Sequence, residues 1–267
     1  MVDTNFTPDT HLALITGATG GIGRATCHAL ARLGISVAAH FNAAKDDAEV
    51  LVQELTEQYQ VRAACFQADL GDYDAVHRLH ASVVATLGHP NILFLNAGTT
   101  GGVSGVKNLT EVPFDVFEQT WRINCGSNIL LTQLCLPALT LARSGTTATE
   151  PWGRIIFNSS AAAFTGGLVG PHYASSKSAL HGLIHWLAAS VASRGITVNG
   201  IAPALIEGTK MLPGAKEELR KKVPVGRLGT GEEVAETVVW MVRNGEFLLR
   251  TPVLALVRFG AFVLRFD

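Results

Sequence analysis

Apolar residues in this chain fall in short unbroken runs, separated by longer stretches where they recur every three or four positions. The runs HLALIT (11–16), ISVAAHF (35–41), VRAACFQ (61–67), NILFLN (91–96), RIIFNS (154–159) and ITVNGIA (196–202) predict strands. The stretches 22–33, 45–59, 72–87, 114–142, 173–193 and 231–243 carry the helical period and predict amphipathic helices. Strand then helix, repeated along the chain, predicts an α/β fold. Its sheet is parallel and doubly wound, with right-handed crossovers and helices on both faces. No linker divides the chain. A single domain is expected over 11–243, with a tail at 1–10 and an unusual segment at 244–267. Two segments rich in Gly, Ser and Thr, 99–108 and 142–153, read as loop insertions.

Composition narrows the function classes. At 267 residues, 48% apolar and 16% charged, the chain can bury a large core. A net charge near −1 gives no electrostatic argument for nucleic acid or an acidic membrane. No stretch of about 18 uncharged apolar residues occurs, so a membrane-spanning helix is not expected. MVDTNFTPDTH is neither a secretory signal nor an Arg-rich transit peptide. The expected compartment is the cytosol, with the mitochondrion left open. Cys27, Cys65, Cys125 and Cys135 lack metal-ligand spacing and read as buried thiols.

Two stretches carry chemistry. The first predicted strand runs into TGATGGIG, and a helix follows. Glycines there let the backbone turn tightly and approach a pyrophosphate resting on the helix N-terminus. The second is Tyr173-Ala-Ser-Ser-Lys177, whose ends lie one helical turn apart on one face. Such a pair can be an ordinary solvated one. It can also be an acid–base: a cation about 4 Å from a phenol favours phenolate by about 4 kcal/mol at an effective dielectric near 20. That is roughly three pKa units.

Thr16-Gly17-xxx-Gly21-x-Gly23, then Asn96-Ala97-Gly98, then Tyr173-xxx-Lys177 resemble the short-chain dehydrogenase/reductase family in order and spacing. RIIFNSS, ITVNGIAP and VPVGRLGTGEEVAE add to the likeness, which is greatest to the 3-oxoacyl-(acyl-carrier-protein) reductase branch. The resemblance implies a Rossmann-type fold and a catalytic tetrad. Tyr173 would be the acid–base, and Lys177 would hold the nicotinamide ribose and lower the tyrosine pKa. Of the two candidates Ser159 and Ser160, the family spacing selects Ser160. Asn124 would hold a proton-relay water, and Asn128 is left as a helix-surface residue.

The resemblance also implies cofactor contacts at Thr16, Gly17, Thr19, Gly21, Ile22, Gly23, Asp69, Leu70, Asn96, Ala97, Gly98, Pro203 and Ile206, besides Tyr173 and Lys177. The second strand ends in Asn42 and Ala43, where NAD-preferring relatives carry an acid, and Lys45 could meet a 2′-phosphate. This favours NADP(H), with NAD(H) as the alternative. Asp46 and Asp47 more plausibly cap or decorate the next helix, and the aim of Arg24 is open.

His181 and His185 could mimic a metal pair, yet no third ligand is evident and no metal is expected. Lys216, Arg220, Lys221 and Lys222 read as solvated charge, although an acyl-carrier partner would be acidic. Trp121, Trp152, Trp186 and Trp240 read as core or interface aromatics. Two departures from the family stand out. Pro203-Ala204 replaces Pro-Gly, and residues 244–267 lack the usual Gly-rich turn and final strand ending near Asp-Gly-Gly, although TPVLALVRF could still act as a strand.

The expected activity is NAD(P)H-dependent reduction of a ketone, a small molecule or one bound to an acyl carrier, with a 3-oxoacyl thioester foremost. The alternatives are a polyol, steroid or polyketide ketone, or a nucleotide-binding chain inactivated by its altered C-terminus. A homo-oligomer, tetramer or dimer, is expected if that terminus permits.

Overall fold

A computed structural model describes Phe6 and residues 10–139, 153–209, 211, 216–221, 223, 225–244, 254–256 and 262–264. The six expected strands form as β1 (Leu12–Ile15), β2 (Ser36–Phe41), β3 (Ala63–Gln67), β4 (Ile92–Leu95), β5 (Gly153–Asn158) and β6 (Ile196–Ile201). All run parallel, in the spatial order 3-2-1-4-5-6. The chain moves outward from β1 to β3 and then returns to place β4 beside β1. That reversal opens a crevice at the C-terminal strand ends, where sheets of this kind bind ligands.

Period-two alternation splits the central strands between two cores. Leu12, Leu14, Leu93, Leu95, Ile155 and Phe157 face one side, under α3 (Tyr73–Leu87), α5 (Ser127–Leu139) and α7 (Pro171–Val191). Ala13, Ile15, Ile92, Phe94 and Ile156 face the other, under α1 (Gly21–Ala31), α2 (Lys45–Tyr59) and α9 (Gly231–Arg243). Burial on both faces is why these strands read as unbroken apolar runs. The chain also forms α4 (Phe114–Trp121), α6 (Ala162–Thr165) and α8 (Lys216–Lys221).

Local signals set several boundaries. The Asp72 carboxylate caps α3 by accepting from the Asp74 N–H at 2.9 Å. Thr230 and Glu233 form a reciprocal capping box at the start of α9. Asp46 and Asp47 lie in the first turn of α2 without capping it, where their charge suits the helix dipole. Ala204 needs no positive φ, since Gln60 is the one non-glycine residue in that region among those described.

Two expectations are corrected. The single helix predicted over 114–142 is interrupted by a π-turn, Arg122–Gly126, between α4 and α5. The widened turn carries Asn124, and Gly126 is required there because a Cβ would lie 1.9 Å from the Tyr73 hydroxyl. Asn128 is fully buried rather than on the surface, and its amide donates to Asn124 O at 2.8 Å. The core alternative for the tryptophans is excluded at three positions, since Trp121, Trp186 and Trp240 are exposed, Trp186 by 70%, and the interface alternative stands. Trp152 lies outside the described residues.

The core of TPVLALVRF supplies β7 (Leu254–Leu256), which extends the sheet parallel to β6 in the register Gly200↔Leu254. It is followed by β8 (Phe262–Leu264), antiparallel to β7 and not expected from the sequence. Pro252 and Arg258 lie outside the described residues. Cys27, Cys125 and Cys135 are buried free thiols, whereas Cys65 is only half-buried. Among the described residues no helix is long and apolar enough to cross a membrane, and no His/Cys/Asp/Glu group could hold a metal ion.

Candidate active site

The loop from β1 into α1 is drawn together by side chains from the neighbouring strand ends. Buried Thr16 accepts the Asn96 and Ala97 N–H groups on its hydroxyl, each at 2.9 Å. The Asn96 amide donates to Thr16 O at 2.9 Å and Gly17 O at 3.2 Å. Asn158 then donates to Asn96 Oδ1 at 2.8 Å, linking β1, β4 and β5 above the sheet.

Glycine is a steric requirement at Gly23, where a Cβ would lie 2.2 Å from Gly17 O. A Cβ on Gly21 would sit 3.0 Å from Gly208 O, so the segment after β6 crosses close to the glycine loop. That segment is held by Glu207 N–H donating to Gly229 O at 2.8 Å, and it carries Pro203 and buried Ile206. Glycines in tight approach and a helix N-terminus form a cradle that fits a dinucleotide pyrophosphate. Thr19 and Ile22 sit in the same loop and first helical turn.

After β3, at the residues the resemblance assigns to the adenosine half, Asp69 closes a turn by accepting from Gly71 N–H at 2.8 Å, and Leu70 is buried beside it. Asn42 is exposed just beyond β2, and Lys45 opens α2, 3.5 Å from Glu49. Arg24, whose aim the sequence left open, pairs with Glu54 of α2, which also meets His28.

Across the crevice, three segments meet: the π-turn brings Asn124, the chain just after β5 brings Ser160, and α7 brings Tyr173 and Lys177. The π-turn directs Asn124 inward. Its Oδ1 accepts the Thr99 N–H at 2.7 Å, and its amide donates to Thr99 O at 2.9 Å and Ser176 Oγ at 3.0 Å. It therefore ties the loop after β4 to α7. Ser160 lies beside Tyr173, where its hydroxyl favours the ionised phenol, and its oxygen accepts from Ala162 N–H at 3.1 Å. Ser159, the other serine candidate, points elsewhere: its hydroxyl donates to Lys177 O at 3.1 Å and lies 2.8 Å from His181 Nε2. His181 is thus engaged with a serine, and Phe164 packs on its ring.

The electrostatic expectation for Tyr173 is corrected. Burial raises its phenol above the ordinary value, and the opposing influence is the Ser160 hydrogen bond rather than the lysine. The Lys177 ammonium is 5.9 Å from the tyrosine ring centre and donates to Asn158 O at 2.7 Å. Burial lowers the Lys177 pKa to about 8, with Cys125 opposing the shift. Gly98 leaves room for this group, since a Cβ there would be 3.2 Å from Nζ.

Asn158 is the site residue that the sequence reading missed. Its signal was its place in RIIFNSS, directly before the serine pair.

The arrangement is a dinucleotide cradle facing a Ser–Tyr–Lys cluster, and comparison with known proteins agrees with it. The family model for short chain dehydrogenases matches residues 11–220. The chain is 34% identical to 3-oxoacyl-(acyl-carrier-protein) reductase FabG of Pseudomonas aeruginosa, covering 88% of this chain and 90% of that one. It is 31% identical to versicolorin reductase of Emericella nidulans, covering 96% and 90% respectively. Among solved structures, a blue fluorescent protein from a metagenomic library in complex with NADPH superposes with a TM-score of 0.81 at 30% identity. That match covers 96% of this chain and all (100%) of the other. With its glycine loop, strand order and Tyr–Lys helix accounted for, this chain belongs to the short-chain dehydrogenase family of oxidoreductases.

Proposed function

We propose that the protein uses NADPH to reduce a ketone, with a 3-oxoacyl thioester as the favoured substrate class. The observation that carries this reading is the convergence of Ser160, Tyr173 and Lys177 across from the glycine loop, with the lysine 5.9 Å from the tyrosine ring centre. A bound nicotinamide would supply the hydride for the carbonyl carbon. The carbonyl oxygen is held by the Ser160 and Tyr173 hydroxyls, donors already placed where negative charge develops. Tyr173 delivers its proton to that oxygen. Lys177 contributes the nearby positive charge and a donor for the cofactor ribose, and Asn124 fixes the loop that frames the site.

Preference for NADPH is supported by the NADPH-bound neighbour and by the strand end that offers Asn42 and Ala43 in place of a carboxylate. Asn42→Asp is expected to shift the NADPH-to-NADH ratio of kcat/KM toward NADH by about 10- to 100-fold. The new carboxylate repels a 2′-phosphate and accepts from ribose hydroxyls. An unchanged ratio in steady-state assays removes Asn42 from the cofactor site.

A second substrate reading, an aromatic polyketide ketone, is favoured by the likeness to versicolorin reductase. The kcat/KM values for an acetoacetyl thioester and a fused-ring ketone, measured side by side, decide between them.

Assembly into a homo-oligomer is supported by large exposed apolar side chains on the two packed helices α4 and α7: Phe114 (76%), Trp121 and Trp186. Sedimentation velocity at micromolar concentration is expected to show a dimer or larger, and a monomer there contradicts it.

A further inference from the structure

His40 sits at the fifth position of β2, and only 2% of it is exposed. Its ring joins two loops that neither motif reading connects. Nδ1 is 3.1 Å from the Gly17 N–H, and Nε2 is 3.0 Å from Ala68 O. The partners fix the tautomer: a main-chain N–H only donates and a carbonyl only accepts. Hence Nδ1 is the bare acceptor and Nε2 carries the proton. Burial lowers the His40 pKa to about 4, with Asp69 the one nearby charge opposing it, so the ring stays neutral at physiological pH.

What the ring joins is specific. Gly17, at φ 65, is the first glycine of the pyrophosphate loop, and its carbonyl is already held by Asn96. Ala68 directly precedes Asp69 and Leu70, the adenine-side pair. The main chain adds Ala18 N–H to His40 O at 2.8 Å and Ala68 N–H to Phe41 O at 3.0 Å. The His40 side chain is therefore the strut between the phosphate and adenine halves of the crevice.

We propose that His40 is a positioning residue for the cofactor, setting the Gly17 loop and the Ala68–Leu70 turn at the separation a bound adenine dinucleotide requires. This rests on the nicotinamide-cofactor reading above and adds a residue to it. It touches the cofactor through those loops and leaves the ketone side alone.

The test is direct binding of two probes, NADPH and an adenosine bisphosphate lacking nicotinamide, to the full chain, with steady-state kinetics alongside. His40→Ala is expected to weaken both probes by the same factor, about tenfold to a hundredfold, because a buried N–H and C=O lose their partners. The ketone KM and kcat at saturating NADPH should stay within about twofold of the parent.

His40→Asn keeps an acceptor for Gly17, and His40→Gln keeps a donor for Ala68, so each should bind both probes more tightly than the alanine variant and less tightly than the parent. These two variants carry the test if the alanine variant does not fold. Leu187→Ala, a core truncation in α7 that removes no bond to either loop, is the stability control. Parental affinity in the His40 variants overturns the proposal. So does equal weakening in Leu187→Ala at matched loss of melting temperature. A parent chain that binds neither probe removes the cofactor reading itself, and this proposal with it.

Discussion

Tyr173→Phe is expected to reduce ketone turnover by about 10²- to 10⁴-fold while leaving NADPH affinity essentially unchanged. The substitution removes one oxygen and keeps the ring. What is lost is the proton donor and half of the pair that holds the carbonyl oxygen. The Ser160 hydroxyl loses a partner on the crevice side, a net cost of about 1 kcal/mol, too little to unfold the chain. Because burial raises the tyrosine pKa, the phenol is protonated at neutral pH, the form needed for reduction. Alcohol oxidation needs the phenolate, so the reverse rate should climb as pH rises through the alkaline range. Initial rates in both directions, parent beside variant, check this. A variant retaining more than about a tenth of parental turnover takes the acid–base role away from Tyr173.

Lys177→Met should be nearly as damaging to activity, by about 10²-fold or more, yet it should not destabilise the protein as a core truncation does. Lys177 is buried, and burial takes its pKa down to about 8 from the ordinary 10.5. At about 1.4 kcal/mol per unit, holding that charge costs the folded state roughly 3 kcal/mol at neutral pH. The sign follows from linkage. Below about pH 8 the lysine is charged in both states and the cost is complete. Between about 8 and 10.5 only the unfolded chain keeps the proton, and the cost fades as pH rises. Methionine removes the charge, and its gain is offset by the Asn158 carbonyl left without its 2.7 Å donor, about 1 to 3 kcal/mol. The net expectation is a melting temperature equal to or above the parent's, with the parent's gain in stability between pH 8 and 10 missing from the variant. A drop of several degrees, or the same alkaline gain in both proteins, contradicts a charged, buried Lys177.

Much of this was legible in the chain because the informative residues sit at the ends of elements. Ile15 and Leu95 read as buried strand residues, so the Thr16 and Asn96 that follow them fall at the strand tips where the crevice opens. Spacing alone put Tyr173 and Lys177 on one face of α7, whereas the choice of Ser160 over Ser159, which the structure turns toward His181, came from the family resemblance. What stayed hidden depends on pairings between distant segments. Nothing in WRINCGSN signals that the helix widens at Asn124, or that the Tyr73 hydroxyl of another helix comes to lie against Gly126 there. Asn128 has the polarity of a surface residue, yet it is buried with its amide donating to Asn124 O in the π-turn. Burial of the phenol reverses a sequence estimate that considered only two side chains one turn apart, and the lysine turns to the Asn158 carbonyl. The two bonds of His40 span 23 and 28 residues and leave no periodic trace.

The central claim, that this chain is a working NADPH-dependent ketone reductase, is tested most directly by NADPH oxidation with an acetoacetyl thioester, followed by nicotinamide absorbance on the full-length chain. The account predicts steady turnover with NADPH, slower turnover with NADH, and none above background in Tyr173→Phe. Tight NADPH binding without oxidation, across the thioester and the fused-ring ketone alike, would contradict it.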